Sequence, residues 1–278
     1  MKYFTKTLIY IFLGIVLLIT IFPIIYAVFG SFMTSMEFAV GGTKLIPEVW
    51  QWQNYINAWQ AANFARYAFN SVFLSFWAIL GAIVISSIPG YVFARGDFPG
   101  KKIIMGVFLS TMFLTTGTVT LYPIFTIARA VNLNQSIWGI VMVYVMTINV
   151  TYVFLIMGYI KGLPKELDEA ATMDGCGFFA VYWRIIMPLC KPILATIALL
   201  TFRFAWNDYV LPMVFTITNE SHRPLIVGVL ALRGGFGGAA AYDVMLAGTT
   251  ISLIPVVALY IITNKQFVSG VTAGAIKF

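Results

Sequence analysis

An integral membrane protein built entirely from helices is the fold class this sequence predicts, and three observations carry the prediction. Hydrophobic residues fill 60% of the 278 positions and charged residues only 10%, whereas an ordinary soluble domain is about 25% charged. The apolar residues fall in long unbroken runs, not in the short alternating segments of a barrel. Lipid offers the backbone no hydrogen-bonding partner, so only helices or closed barrels span it, and the long runs select helices.

A spanning helix needs roughly 20 apolar residues. Six runs qualify, at about 8–29, 69–94, 103–125, 137–160, 191–215 and 243–264. The first is too long for a signal-peptide core, no small-residue cleavage site follows it, and Pro23 interrupts it, so it reads as a retained anchor. Orientation follows from Lys and Arg. With the N-terminus inside, eleven of them lie on inner segments: Lys2, Lys6, Arg95, Lys101, Lys102, Lys161, Lys165, Arg184, Lys191, Lys265 and Lys277. Five lie outside, at Lys44, Arg66, Arg129, Arg223 and Arg233. This bias, with an even number of spans, puts both termini in the cytoplasm. It also accounts for the net charge of +7. No basic patch interleaved with aromatics points to nucleic acid.

The outer loops are then about 30–66, 126–136 and 216–242. The first carries Trp50, Trp52, Tyr55 and Trp59, as at a headgroup-level lip. The third carries Gly234, Gly235, Gly237 and Gly238, a loose dinucleotide fingerprint that fails because no strand precedes it. His222 has no companion for a metal. Cys176 and Cys190 fall on the cytoplasmic side, where thiols stay reduced. No loop is large enough to fold alone, so residues 1–278 form a single transmembrane domain.

The inner loop 161–190 is the anomaly. Pro164 suits the opening of a helix. Glu166, Asp168 and Glu169 follow, where acids favour the positive end of the helix dipole. Ala170 and Ala171 are small and strongly helical, and Gly175 is free to end the helix with a positive φ. A second amphipathic stretch, Phe178 to Ile186, leads through Pro188 back toward the membrane. The expected object is a helix–turn–helix on the cytoplasmic face that presents small residues and carboxylates to a partner. Composition alone leaves a merely solvated loop open.

The spacing of Glu169-Ala170-Ala171, Asp174-Gly175, Ile185 and Pro188 resembles the EAA motif of binding-protein-dependent ABC importer permeases. Met187 stands where that family usually has Leu, a mild apolar exchange. The resemblance extends over nearly the whole chain, and is to the carbohydrate-uptake branch, in the manner of the second maltose-permease subunit. Asn70-Ser71, Tyr91 to Arg95 followed by Phe98 to Lys102, Trp206 to Tyr209 with Pro212, and the tail from Phe267 to Lys277 carry it. Gly117 departs from the family, many of whose members have Pro near there.

The resemblance implies a type I ABC importer transmembrane fold in a bacterial plasma (inner) membrane. It implies a second homologous permease subunit, two cytoplasmic ATPase subunits and an extracytoplasmic sugar-binding protein as partners. ATP and Mg would be bound by the ATPase, with no cofactor, metal or catalytic residue in this chain. Glu169, Ala170, Ala171, Asp174, Gly175, Ile185 and Pro188 would form the ATPase-docking coupling helix. In the tail, Thr272, Gly274 and Lys277 would reach the ATPase.

Ionisable groups inside a membrane are costly and usually functional. Arg203, Trp206, Asn207, Asp208 and Tyr209 therefore stand as candidates for the translocation path or its gate; a structural hydrogen-bond set is the other reading. An ion-coupled secondary transporter using Arg203 and Asp208 is the alternative function, but it leaves the acidic inner loop unexplained. An intramembrane enzyme lacks a dyad in the spans.

Overall fold

The computed structural model describes residues 2–37, 45–61, 63–114, 117–232 and 241–275. It divides into two compact units, residues 1–68 with 225–255, and residues 69–224 with 256–278.

In the first unit, α1 (Lys2–Gly30) is a continuous helix through Pro23. Its apolar side chains are exposed, and none of its membrane-grade window is buried. Such a surface is at rest only against lipid or another apolar helix. Beyond it the chain folds back on an aromatic cluster. The Phe32 ring centre lies 4.9 Å from that of Trp50, 4.8 Å from Trp52 and 5.1 Å from Tyr55. Buried Asn54, on α2 (Gln53–Ala61), fixes the turn by donating from Nδ2 to the carbonyls of Ser31 at 3.0 Å and Met33 at 2.8 Å. Trp50, Trp52 and Trp59 keep large exposed faces, which fits the expected aromatic lip.

The second unit is organised around α3 (Phe64–Arg95), which the chain enters at Phe69. It is followed by α4 (Lys101–Thr111), a 3-10 turn (Gly117–Thr120), α5 (Leu121–Ala130), α6 (Ile137–Met146) and α7 (Val150–Lys161). Ser136 and Asn149 cap α6 and α7 by accepting from the N–H of Trp138 and Thr151. Two glycines let α3 press close to these helices. A Cβ on Gly81 would sit 2.8 Å from Val145, and one on Gly90 2.8 Å from Ile156, as small residues do in membrane helix packing.

Then come α8 (Glu166–Met173), α9 (Phe178–Leu189, with a π turn at Tyr182–Ile186), α10 (Lys191–Asn207) and α11 (Val210–Phe215). One core joins Tyr91, Tyr152, Ile156 and Ile160 to Ala171, Val181, Tyr182, Ile186, Ile193 and Ile197. The other joins Leu74, Ala78, Ile140, Val141 and Tyr144 to Ala205, Leu211 and Phe215. Of the remaining helices, α12 (Leu225–Ala231) belongs to the first unit, and α13 (Tyr242–Ala275) contributes residues to both. Gly228 of α12 leaves no room for a Cβ against the Tyr67 ring.

Among the described residues, three helices are long and apolar enough to cross a membrane: Tyr3–Gly30, Phe64–Arg95 and Tyr242–Ile262. Two further pairs qualify only jointly: Ile137–Met146 with Val150–Lys161, bent by 46°, and Phe178–Leu189 with Lys191–Asn207, bent by 76°. The run expected at 103–125 is split between α4 and α5, with Gly117 at φ 51° between them. The run expected at 191–215 breaks at Asp208, which adopts extended backbone between α10 and α11. The glycine string at 234–238 lies outside the described residues.

Candidate functional site

The inner-loop helix α8 begins at Glu166, two residues after Pro164 rather than at it. The Lys165 carbonyl accepts the first N–H groups, from Asp168 at 2.9 Å and Glu169 at 3.1 Å. The acids Glu166, Asp168 and Glu169 occupy the first turn, where the positive end of the helix dipole favours them. The helix ends as its sequence requires. Gly175 has φ 84°. Its N–H donates to Thr172 O at 3.0 Å, and the Cys176 N–H donates back to Ala171 O at 2.9 Å. That pair of bonds satisfies two carbonyls that every helix end leaves open.

The side chains divide the motif in two. Glu169, Ala170, Asp174 and Gly175 are exposed, whereas Ala171 is 4% exposed, inside the core. The expectation that both alanines are presented outward therefore holds for Ala170 alone; Ala171 is small because Tyr91, Ile160 and Val181 share its core. Ile185 packs against the same core and Pro188 is exposed.

The loop does not hang from its ends. Arg95, at the last turn of α3, places Nε 2.8 Å from Asp168 Oδ2 and donates from Nη2 to Leu163 O at 2.9 Å. The Arg95–Asp168 contact is an ion pair without the alignment of a hydrogen bond; attraction between two poorly hydrated charges holds it. One turn earlier, Tyr91 donates its hydroxyl to Phe178 O at 3.2 Å. Two turns earlier, Ser87 Oγ and the Tyr182 hydroxyl are hydrogen-bonded at 2.8 Å. Burial raises the Tyr182 phenol above its ordinary value, and its bond with Ser87 acts in the opposite direction. Burial also pushes the Cys190 thiol, at the end of the loop, up to about 11, against the pull of the Arg95 guanidinium. Between α3 and the loop is an open cleft of about 220 Å³ lined by Tyr91, Arg95, Lys165, Asp168, Glu169 and Phe178.

A second cavity, of about 320 Å³, lies among α3, the 3-10 turn, α5, α6, α7, α10 and α11. Polar groups converge on it: Tyr144, Thr147, Asn149, Tyr152, Thr201 and Asp208. The Tyr144 hydroxyl donates to Asp208 Oδ2 at 2.8 Å. The same carboxylate accepts the backbone N–H groups of Val210 and Leu211, which holds the break between α10 and α11. The Thr201 hydroxyl is buried without a hydrogen bond in the protein. Of the five residues named from sequence as the path, only Asp208 lines this cavity. Trp206 is buried and stacks on Phe202 at 5.1 Å. Arg203, Asn207 and Tyr209 are exposed, and Asn207 Nδ2 donates to the Arg203 carbonyl at 2.8 Å. Sequence reasoning missed Tyr144, Thr147, Asn149, Tyr152 and Thr201. They form no motif in sequence, and only folding brings them to one place.

In the tail, Thr272 and Gly274 continue helix α13, and Lys277 lies outside the described residues. Among the described residues no cluster of His, Cys, Asp or Glu could hold a metal ion.

Residues 82–273 match the family model described as "Binding-protein-dependent transport system inner membrane component". The chain is 30% identical to a probable ABC transporter permease protein of Bacillus subtilis over 99% of its own length and 90% of the relative's. It is 32% identical to a probable starch degradation products transport system permease protein of Thermoanaerobacterium thermosulfurigenes, over 96% of this chain and 95% of that one. In fold it resembles a chain in the crystal structure of a bacterial ABC transporter involved in the import of the acidic polysaccharide alginate. The TM-score there is 0.82 at 23% identity, covering 96% of this chain and 97% of the other. The match over two-thirds of the chain, with relatives aligned from end to end, identifies it as a member of the binding-protein-dependent transport system inner membrane component family, a multi-pass ABC transporter permease and not the subunit that hydrolyses ATP.

Proposed function

We propose that this chain forms half of the translocation path of an ATP-driven importer for an oligosaccharide. It works with a second homologous permease, two cytoplasmic ATPase subunits that bind ATP and Mg, and an extracytoplasmic sugar-binding protein. The chain crosses the membrane six times with both termini in the cytoplasm, which the Lys and Arg bias supports. The third crossing is the broken pair α4 and α5, and the fifth is α10 with α11. On this reading the α8–α9 segment lies on the cytoplasmic face. Its exposed edge, Glu169, Ala170, Asp174 and Gly175, enters the ATPase, with Glu169 meeting a basic group there.

The observation that carries this reading is the build of α8. A helix anchored in the core through Ala171 and ended by Gly175 holds the Glu169 carboxylate and the small Ala170 side chain outward, and a merely solvated loop needs none of that. The cavity beside Tyr144 and Asp208 supplies hydroxyls, an amide and aromatic rings together, the chemistry that suits a sugar. It is of the size of small-molecule sites. Names of relatives support the substrate class, among them the starch-product permease above and an arabinooligosaccharide permease of Bacillus subtilis that is 29% identical.

The ion-coupled alternative loses its basis. The Asp208 carboxylate turns to Tyr144 and two backbone amides, Arg203 is exposed, and the family works with an ATPase. The test is uptake of labelled malto- and arabino-oligosaccharides into vesicles holding the full complex. Uptake that requires ATP and fails in Glu169→Ala is expected. Uptake driven by an ion gradient without ATP would overturn the reading.

A further inference from the structure

Ser87, Tyr91 and Arg95 are spaced four residues apart, so they form one stripe on the last turns of α3. Each reaches a different part of the inner loop: Ser87 the π turn at Tyr182, Tyr91 the start of α9 at Phe178, and Arg95 both Leu163 and Asp168. The stripe is buried, with Ser87 at 1% and Tyr91 at 2% exposure and the Arg95 side chain at 6%. Tyr91 also packs its ring 4.6 Å from Phe178 and 5.2 Å from Tyr182. Helix α8, the turn before it and the start of α9 are thus fastened to one membrane helix at three successive levels. A buried polar group costs free energy when its partner is lost, so the stripe resists separation of loop and helix at each level.

We infer that Ser87, Tyr91 and Arg95 are positioning residues of transport: they bind the ATPase-docking segment to α3, so that displacement of the segment by ATPase closure moves α3 with it. The inference rests on the docking role proposed for Glu169, and assigns a separate task to residues that do not touch the ATPase. Asp168, next to Glu169 in sequence, faces inward to Arg95 and belongs to the transmitting set, not to the docking edge.

The test uses the full complex in proteoliposomes, with the binding protein carrying the sugar it retains from the cell. Three quantities are read: retention of the ATPase subunits, basal ATP hydrolysis, and stimulation of hydrolysis by the binding protein. Arg95→Gln and Tyr91→Phe should keep retention and basal hydrolysis within about twofold of the parent while stimulation falls at least fivefold. Ser87→Ala and Tyr182→Phe should each lower stimulation, and the double variant should lower it no further, since removing both partners leaves no orphan. Glu169→Ala should instead lose the ATPase subunits.

Parent-level stimulation in Arg95→Gln and Tyr91→Phe would overturn the inference while leaving the docking role intact. Loss of ATPase retention in those variants would also overturn it, because the stripe would then only maintain the docking edge. Additive effects of Ser87→Ala and Tyr182→Phe would remove the link between these two residues from the proposal. Undiminished retention in Glu169→Ala would instead strike at the docking role.

Discussion

Gly175 and Gly177 make a controlled pair two residues apart. A Cβ at either position meets no atom within 4 Å, so space is not what selects glycine. They differ in backbone: Gly175 has φ 84°, whereas Gly177 has φ −74° and ψ 164°, open to any residue, and serves as the cap of α9. Serine at 175 must hold the left-handed conformation, at about 1–2 kcal/mol. Serine at 177 costs nothing in φ, is at least as good a cap as glycine, and restricts the unfolded chain, a gain of about 0.4–1 kcal/mol. The same substitution should therefore act with opposite sign at the two sites. Asparagine at 175 should fall between glycine and serine, because it visits the left-handed region more readily.

The readout is amide hydrogen exchange at the end of α8. There the N–H groups of Gly175 and Cys176 bond to Thr172 and Ala171. Gly175→Ser should raise exchange of the 166–177 peptide by about 5–30-fold, the factor matching 1–2 kcal/mol. Gly177→Ser should leave it unchanged or slower. Equal exchange in the two variants would refute the conformational reasoning, and with it the account of why glycine ends this helix.

Other outcomes follow from the same geometry. Maleimide should label Cys176, which is partly exposed, and spare Cys190, which is 1% exposed with its thiol pushed up to about 11. Because a raised thiol pKa keeps the unreactive neutral form, Cys190 should stay unlabelled through pH 9 in the folded chain and react on denaturation. Tyr144→Phe removes one of three hydrogen bonds to the Asp208 carboxylate, a loss of about 1.5–3 kcal/mol. It should lower the unfolding midpoint in detergent and slow oligosaccharide uptake, whereas Arg203→Ala, at an exposed site, should leave the midpoint unchanged. Asn54→Ala leaves the carbonyls of Ser31 and Met33 without their donor, at about 1–3 kcal/mol. Limited proteolysis from the outside should then cleave within 30–66 faster than in the parent.

What sequence could foresee depended on whether the signal was local. Helix composition, the acidic first turn of α8 and its Gly175 terminus are all dictated within a few residues, and the folded chain has each of them. The break at Asp208 was hidden because apolar residues resume at Val210 and the length of 191–215 suits one span; it opens where the carboxylate accepts from the N–H groups of Val210 and Leu211. Ala170 and Ala171 look alike in sequence. Their split into outside and inside is set by a core drawn from α3, α7 and α9. Arg95 counted from sequence as one more inner positive charge. That it holds Asp168 and Leu163 required the end of α3 and the inner loop, some 70 residues later, to be placed side by side. Tyr144 and Asp208, 64 positions apart, met for the same reason.

The proposed meeting of the exposed α8 edge with the ATPase is tested most directly by a photocrosslinking side chain at Ala170, on that edge, in membranes holding the assembled transporter. Crosslinks to the ATPase subunit that disappear when Glu169→Ala is added are expected. Crosslinks confined to lipid or to the partner permease, with the ATPase still bound, would contradict it.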